Sequence, residues 1–189
     1  MIEYEKKILL TFKEYLTILG TLGKDKRSYS QTNYYFDTEN LDMYRKGITY
    51  RIRQKGDKTE ATVKSHNTDF PDKSIEKNLK VKSCFDADVF GVKGLQFSGC
   101  LYTKRTVLFK ERFCEMVLDS NNYIGCADYE LETEYLKGHE ADAMKLIYEV
   151  AEILVSKGHI SDTEEFSNRI GKSKSKSDRF FERKYEVAI

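Results

Sequence analysis

The chain has 189 residues, 33% of them charged and 40% apolar, and a formal net charge of +1 at pH 7. This balance argues against general nucleic-acid binding, which normally depends on a basic excess. No apolar run is long enough to span a bilayer and no signal peptide is evident, so we expect one cytoplasmic domain over 1–189 that does not bind membranes.

Strands are predicted up to about residue 136. Residues 2–10 alternate between apolar and charged side chains, as in a strand, and 12–22 then carry apolar residues at helical spacing. A short helix or turn is expected over 39–47, and a short helix and loop over 84–97. The remaining strands are predicted over 30–38, 48–55, 59–66, 73–81, 101–109, 113–120 and 128–136, with a tight turn at 56–58 and another at 120–125.

Helices are predicted after the last strand, over 139–186. In 139–157 the apolar residues recur at i, i+3, i+4 and i+7 along one stripe, and Gly158 ends the helix. Asp162 or Thr163 can cap a final helix that carries the basic segment SNRIGKSKSKSDRFFERK. The expected fold class is therefore α+β, an antiparallel sheet with flanking helices.

The cysteines carry no sign of a metal site. They are Cys84, Cys100, Cys114 and Cys126, and no two of them form a C-x-x-C pair. A zinc site built from them is not expected. In a cytoplasmic protein they should be reduced thiols that mostly fill small apolar spaces.

Charged residues recur on one face of most predicted strands. The first strand, in MIEYEKKILL, places Glu3, Glu5 and Lys7 at every second position. One such strand is ordinarily a solvated face, but here acids mark the first and last strands and bases the strands between. The in-phase acids are Glu3, Glu5, Glu60, Glu76, Glu115, Asp119, Glu130, Glu132 and Glu134. The in-phase bases are Lys7, Arg51, Arg53, Lys64 and Arg105.

Eight antiparallel strands are enough to close into a barrel with a lumen. If the charged face points inward, the first and last strands become neighbours and Glu3, Glu5, Glu130 and Glu132 converge, with the bases opposite them. Unpaired buried charge is costly, so such an interior suits a hydrated tunnel rather than a dry core. We therefore expect an eight-stranded barrel whose tunnel binds a polyanion together with a divalent cation.

The same residues, in the same order, resemble the CYTH, or triphosphate tunnel metalloenzyme, superfamily. The resemblance rests on Glu3-x-Glu5-x-Lys7, NYYFDT, YRIR, TVK, Arg105, Asp119, DYELE and the C-terminal KSKSDRFF. It implies a tunnel that binds a triphosphate with Mg²⁺ or Mn²⁺. The metal ligands that it implies are Glu3, Glu5, Asp119, Glu130 and Glu132. The phosphate-binding residues that it implies are Lys7, Arg51, Arg53, Lys64, Arg105 and Lys176, with Lys174 and Arg179 at one end of the tunnel.

Two positions bear on how closely the family pattern is followed. Thr103 stands where several members carry a base two residues before Arg105, and Lys104 should face outward. Glu134 is an additional in-phase carboxylate, either a third ligand on its strand or a residue of the rim.

The resemblance implies a metal-dependent hydrolase of inorganic or nucleoside triphosphates, with Glu3, Glu5, Lys7, Arg51 and Arg53 as the catalytic set. The enzyme alternatives are a class IV adenylyl cyclase, in which a ribose hydroxyl attacks in place of water, and a thiamine triphosphatase. The non-enzyme alternative is a polyphosphate- or nucleotide-binding module, although a pure anion binder would gain nothing from converging acids. The expected partner is a small molecule that contains a triphosphate, and a homodimer is left open.

Overall fold

The computed structural model describes residues 3–66, 74–81 and 83–187, with the backbone alone at Glu3, His66 and 74–80. Its strands are β1 Glu3–Leu10, β2 Ser28–Asp37, β3 Ile48–Lys55, β4 Lys58–His66, β5 Ser74–Lys80, β6 Gln96–Lys110, β7 Cys114–Tyr123 and β8 Cys126–Leu136. Its helices are α1 Phe12–Leu22, α2 Asp42–Arg45, α3 Glu140–Ser156, α4 Thr163–Ser167 and α5 Lys176–Val187, with a 3₁₀ turn at Ala87–Phe90. The predicted α+β class is confirmed.

Strands β6, β7 and β8 each extend at least two residues beyond their predicted bounds. β6 already begins at Gln96, and β7 continues to Tyr123. The turn to β8 is therefore reduced to Ile124 and Gly125, which have φ values of 42° and 70°. Positive φ at two consecutive residues is what a two-residue hairpin turn of type I′ requires, and the glycine adopts it at little cost.

The final helix predicted to begin near Asp162 is two helices. Asp162 does cap α4, since its side chain accepts the backbone N–H of Glu165 at 2.8 Å. The chain then leaves helical geometry, and Gly171 has a φ of 71°. A new cap begins α5, where Ser175 Oγ accepts the backbone N–H of Asp178 at 3.2 Å. The polar segment between them has no apolar stripe to hold one continuous helix against the core.

The strands form one sheet in the order β1-β8-β7-β6-β2-β3-β4-β5. The ladders β1–β8, β2–β3, β3–β4 and β4–β5 are antiparallel. The first and last strands in the sequence are therefore neighbours, as predicted. Within the ranges given above, no ladder joins β1 to β5, so closure into a barrel stays a prediction.

The edge of β1 receives hydrogen bonds from the segment that follows α4. The backbone N–H of Gly171 donates to the carbonyl of Lys7 at 3.3 Å, and Arg169 Nη2 donates to the carbonyl of Leu9. Carbonyls of alternate strand residues point to the same edge. At these two positions the segment 169–171 thus occupies acceptors that a further strand would use.

The chain is organised as two compact units, each with its own core. The first unit comprises Met1–Tyr29, Lys104–Asn121 and Ala127–Lys174, and the second comprises Ser30–Thr103, Asn122–Cys126 and Ser175–Ile189. In the first unit, Ile8 of β1 and Leu131 of β8 are buried with Ile18 of α1 and with Ile147 and Leu154 of α3. The apolar alternate residues of β1 and β8 thus pack under helices.

A buried ion pair fixes the start of α1 in the first unit. Thr11 and Glu14 form a capping box at the N-terminus of the helix. The Glu14 carboxylate is buried and also bonds the Arg169 guanidinium, with Nη1 to Oε1 at 2.7 Å. Burial alone would raise the pKa of Glu14, but the hydrogen bonds from Arg169 and Thr11 outweigh it and the pKa is lowered.

Aromatic side chains fill the second unit on both faces of its strands. On one face Phe36, Tyr50 and Ile52 pack under the 3₁₀ turn, with the rings of Tyr50 and Phe90 5.0 Å apart. On the other face Tyr35 packs against α5. The aromatic residues of NYYF are therefore packing residues.

Two fully buried phenylalanines pack helix α5 against the core of the second unit. Phe180 and Phe181 cluster with Tyr35 and Leu101, and the rings of Tyr35 and Phe180 are 4.7 Å apart. A Cβ added at Gly99 would lie 2.8 Å from the Phe180 ring. The glycine therefore leaves the room in which this ring sits.

The aspartate of NYYFDT has a structural role in the second unit. Asp37 is buried, and its carboxylate accepts the backbone N–H groups of Thr38, Met43 and Tyr44 at 2.7, 2.9 and 2.8 Å. These bonds satisfy backbone donors in the connection to α2 and at its start. Asp37 thus shapes this connection.

The cysteines and the helices give two further findings. All four cysteines are free. Cys114 is buried and Cys84 packs against the apolar core around Phe36, so the expectation that they fill small apolar spaces holds for these two, but not for the exposed Cys100. No helix within the described ranges is both long and apolar enough to cross a membrane.

Removal of the Arg169 side chain should destabilise the protein, because it leaves the Glu14 carboxylate buried with fewer partners. For Arg169→Ala we expect a loss of about 2–3 kcal/mol in the free energy of unfolding at pH 7, measured by urea denaturation. The contribution of Glu14 is present above its unfolded pKa and is lost as the pH falls through its lower folded pKa, so the difference from the wild type should shrink there. Lys110→Ala, which removes an exposed ion pair with Glu115, should cost well under 1 kcal/mol. Equal losses in the two variants would contradict the assignment.

Candidate functional site

β1 and β8 present their charged residues on one face. In the β1–β8 ladder Glu5 lies opposite Glu134, and Lys7 lies opposite Glu132. Directly opposite residues point to the same side of a sheet, and the residues between them point to the other side. Since Ile8 lies between these positions and is buried under the helices, the charges occupy the face away from that core.

Three carboxylates meet on this face of the first unit. Asp119, Glu130 and Glu132 each offer an oxygen, and these oxygens all lie within 4.8 Å of one another. The three residues are 0%, 1% and 7% exposed, respectively. We call them the acidic cluster. Like charges held so closely and away from water repel unless a cation compensates them.

Arg105 supplies part of that compensation. Its Nε and Nη2 donate to the two oxygens of Asp119 at 2.8 and 2.6 Å, and Nη2 also donates to Glu132. Burial alone would lower the pKa of Arg105, but Glu132 and Asp119 outweigh it and the pKa is raised. The guanidinium therefore stays charged and binds two of the three carboxylates of the cluster.

Lys7 supplies a second cation close to the acidic cluster. Its Nζ lies 2.9 Å from Oε1 of Glu5. Burial would lower the pKa of Lys7, but the attraction of Glu5, Glu132 and Glu130 outweighs it and the pKa is raised. Lys7 is therefore an ammonium ion that acts on both Glu5 and the cluster.

The structure brings together only some of the predicted metal ligands. Asp119, Glu130 and Glu132 are brought together, whereas Glu5 pairs with Lys7 and lies outside the acidic cluster. Glu3 is described by its backbone alone, which lies opposite Leu136. The grouping of all five carboxylates stays a prediction.

The donor set of the acidic cluster fits a hard divalent cation. Mg²⁺ and Mn²⁺ prefer carboxylate and water oxygens, and Mg²⁺ commonly binds through only one or two carboxylates. The cluster offers three oxygens at close range without a thiol or an imidazole. Residues of this kind could hold Mg²⁺ or Mn²⁺, with Arg105 compensating the same charge in the absence of an ion.

The second unit carries the predicted bases on one face of β3 and β4. In the β3–β4 ladder Arg51 lies opposite Thr62, and Thr49 lies opposite Lys64. Since Arg51 and Arg53 are two residues apart on one strand, all of these side chains share a face. The hydrogen bond from Arg51 Nη2 to Thr62 Oγ1 at 3.4 Å agrees with this register. The in-phase placement of Arg51, Arg53 and Lys64 is therefore confirmed.

Two bases of α5 lie near the same face. Burial raises the pKa of Tyr35, and the field of Arg51, Arg53, Lys176 and Arg179 acts in the opposite direction without cancelling it. Four cations are thus within electrostatic range of one buried phenol. Lys176 and Arg179 at the start of α5 join the strand arginines in making the second unit electropositive.

Thr103 and Lys104 lie as the sequence predicts. Thr103 is fully buried and Lys104 is exposed. The strand therefore brings a hydroxyl, and not a base, to the position two residues before Arg105.

Sequence reasoning missed two polar residues on β2 that share the charged face. Asn33 lies opposite Arg53 and accepts a hydrogen bond from it, with Arg53 Nε to Asn33 Oδ1 at 2.9 Å. Gln31 lies two residues earlier on the same side, and both are buried. Their alternation with Tyr35 in SQTNYYFD was the available signal, since it repeats the period of two seen in the bases.

Comparison of the sequence with family profiles finds one that covers most of the chain. The profile described as CYTH domain matches residues 1–163. A search of curated proteins found no relative of this sequence.

Solved structures of the same architecture include two that span nearly the whole chain. A candidate adenylate cyclase from Bacillus halodurans is 22% identical, with a TM-score of 0.69 and coverage of 95% of this chain and 97% of that one. A candidate adenylyl cyclase from Hippeastrum, described as having a dominant triphosphatase activity, is 17% identical, with a TM-score of 0.66 and 96% coverage of both chains. A Mimivirus capping enzyme triphosphatase is 10% identical over 78% of this chain and 88% of that one, with a TM-score of 0.51. At these identities the likeness establishes the fold.

If the acidic cluster binds a divalent cation, loss of one of its charges should weaken that binding. For Glu130→Gln we expect the dissociation constant for Mn²⁺ to rise at least about tenfold, because one charged oxygen ligand becomes a neutral amide. Titration of Mn²⁺ followed by electron paramagnetic resonance measures this directly. Glu14→Gln is the matched control, since Glu14 is also a buried carboxylate of the first unit but bonds Arg169. Equal Mn²⁺ affinity in the wild type and Glu130→Gln would exclude the cluster as the site.

Proposed function

Because the chain belongs to the CYTH domain family, we propose that it hydrolyses a small-molecule triphosphate with the help of Mg²⁺ or Mn²⁺. The observation that carries the proposal is the acidic cluster, in which three buried carboxylates hold oxygens within 4.8 Å of one another. A protein that only binds anions would gain nothing from such a group, because it repels phosphate. A divalent cation removes that conflict, since it binds carboxylates and phosphate oxygens alike.

The carboxylates of the first unit would hold the metal ion. Asp119, Glu130 and Glu132 would be ligands, and Glu3 and Glu5 would contribute from β1. When bound, a divalent ion neutralises charge on the phosphate oxygens and on the leaving group. Phosphoryl transfer needs this neutralisation and in-line positioning more than it needs covalent chemistry.

The cations would hold the phosphates. Arginine offers a planar pair of donors that matches two phosphate oxygens, and lysine offers a compact charge. The match to the family along the chain is the ground for this assignment. The proposed phosphate-binding residues are Lys7, Arg51, Arg53, Lys64, Arg105 and Lys176.

Two of these cations would have to change partners when the substrate binds. Lys7 is paired with Glu5, and Arg105 with Asp119 and Glu132. A metal ion on the carboxylates would compensate the charge that these cations now compensate. The ammonium and the guanidinium would then be available to the phosphate oxygens, which couples metal binding to substrate binding.

Product analysis tests the proposed reaction and separates it from a cyclase. We expect phosphate release from tripolyphosphate or from a nucleoside triphosphate, strictly dependent on Mg²⁺ or Mn²⁺, across a panel that contains tripolyphosphate, ATP, GTP and thiamine triphosphate. Cyclic AMP and diphosphate from ATP would instead indicate a class IV adenylyl cyclase. Tight triphosphate binding that needs no metal and leads to no turnover would leave a binding module. Glu5→Gln should abolish the metal-dependent turnover.

Removal of one proposed phosphate contact should raise KM more than it lowers kcat. For Arg53→Gln we expect KM for the best substrate of the panel to rise roughly 10–100-fold, the range for loss of a charge-assisted hydrogen bond. Steady-state kinetics at saturating metal measure the change. Arg112→Gln is the control, because Arg112 is exposed between β6 and β7. An unchanged KM in Arg53→Gln would remove this residue from the site.

A further inference from the structure

On one face of the second unit, three buried N–H donors have no hydrogen-bond acceptor among the residues that the structure describes. They are Gln31 Nε2, Asn33 Nδ2 and Arg51 Nε. Buried donors in proteins are almost always satisfied, by the protein itself, by ordered water or by a ligand. Three unsatisfied donors on one face of two paired strands therefore call for acceptor atoms on that face.

The β2–β3 register places these donors in one row. Asn33 lies opposite Arg53, and Tyr35 lies opposite Arg51. Gln31 precedes Asn33 by two residues and so shares its side of the sheet. The row thus runs along the same face as the arginines of the proposed phosphate site.

The orientation of the Asn33 amide is set by its partner. Arg53 Nε donates to Asn33 Oδ1 at 2.9 Å, and an arginine nitrogen can only donate. The oxygen of the amide must therefore face Arg53, and the NH₂ group is left as the unsatisfied end. Asn33 is fully buried, so bulk water does not reach this donor.

The chemistry of these donors favours an anion as the missing partner. All three unsatisfied groups donate and none accepts, so the missing partner must be rich in lone pairs. Arg51 and Arg53, with Lys176 and Arg179, act on Tyr35 beside the row, so the surrounding field favours negative charge. Phosphate oxygens meet both requirements.

We propose that Gln31 and Asn33 bind the non-bridging oxygens of a substrate phosphate, together with Arg51. The amides add directional contacts to a site whose other groups are charged. Arg53 then has two tasks, since it also orients the Asn33 amide toward the substrate. This inference rests on the proposed function, which it deepens by naming uncharged residues that bind the polyphosphate.

Two isosteric variants test the inference with a ligand that cannot be hydrolysed, a tripolyphosphate in which methylene groups replace both bridging oxygens. Asn33→Asp keeps the acceptor for Arg53 but replaces the donor with a carboxylate oxygen, so we expect its dissociation constant for this analogue to rise at least about 100-fold in calorimetric titration with Mg²⁺. Gln31→Met removes a donor without changing the shape, and we expect a rise of about tenfold. Gln54→Glu makes the same amide-to-acid change on the other face of β3, where Gln54 accepts from Tyr34, and should leave the affinity within about twofold.

The melting temperature of the ligand-free protein distinguishes a ligand site from a structural role. If Gln31 Nε2 is unsatisfied until substrate binds, its removal in Gln31→Met should leave the melting temperature unchanged or raised, while the affinity falls. A lower melting temperature with unchanged affinity for the analogue would overturn the inference, because buried water would then satisfy the donors. Binding of the analogue without turnover of any triphosphate would refute the proposed hydrolysis alone, and the inference would still hold if both variants weaken that binding. A wild type that does not bind the analogue would overturn both.

Discussion

The first unit depends on the neutralisation of buried carboxylates. β7 and β8 bring Asp119, Glu130 and Glu132 together away from water. Their negative charges would repel one another in this arrangement without a compensating cation. Arg105 bonds two of them, and Lys7, which is paired with Glu5, also attracts Glu132 and Glu130. The packing of Ile8 and Leu131 beneath the helices holds the strands in the register that this compensation requires. A cation of some kind is therefore a structural requirement of this face.

In the second unit the charged residues and the apolar core lie on opposite faces of the same strands. Its bases face the same side as Tyr35, Asn33 and Gln31, and the opposite side of the same strands is an apolar core around Ile52. The arginines are thus held by a rigid ladder whose other face is packed with aromatic rings. Rigid positioning matters for anion recognition, because a preorganised guanidinium loses less conformational freedom on binding than a mobile one.

The faces of the strands could be predicted from local alternation in the sequence. The pairing of residues far apart in the sequence could not. Arg51, Ile52 and Arg53 could be assigned to opposite faces from their spacing alone, because a strand has a period of two. The partner of Arg105 could not be identified in this way, since Asp119 and Glu132 lie 14 and 27 residues away and either could have faced a metal instead. The sequence did not predict the break between α4 and α5. Within this basic segment a second capping residue and a glycine favour a break, but the apolar pattern is too weak to show where each helix begins and ends.

The hydrogen bonds that Arg169 and Gly171 make to the carbonyls of β1 have a consequence for the behaviour of the chain in solution. A strand at the end of a sheet order exposes a row of backbone groups that can pair with a strand of another molecule. Two acceptors of that row, at Lys7 and Leu9, are already occupied by the same chain. The segment after α4 therefore leaves fewer acceptors on β1 for a strand of another molecule. The same Arg169 side chain also stabilises the start of α1 through Glu14, so its removal would free a β1 acceptor and lower the stability together.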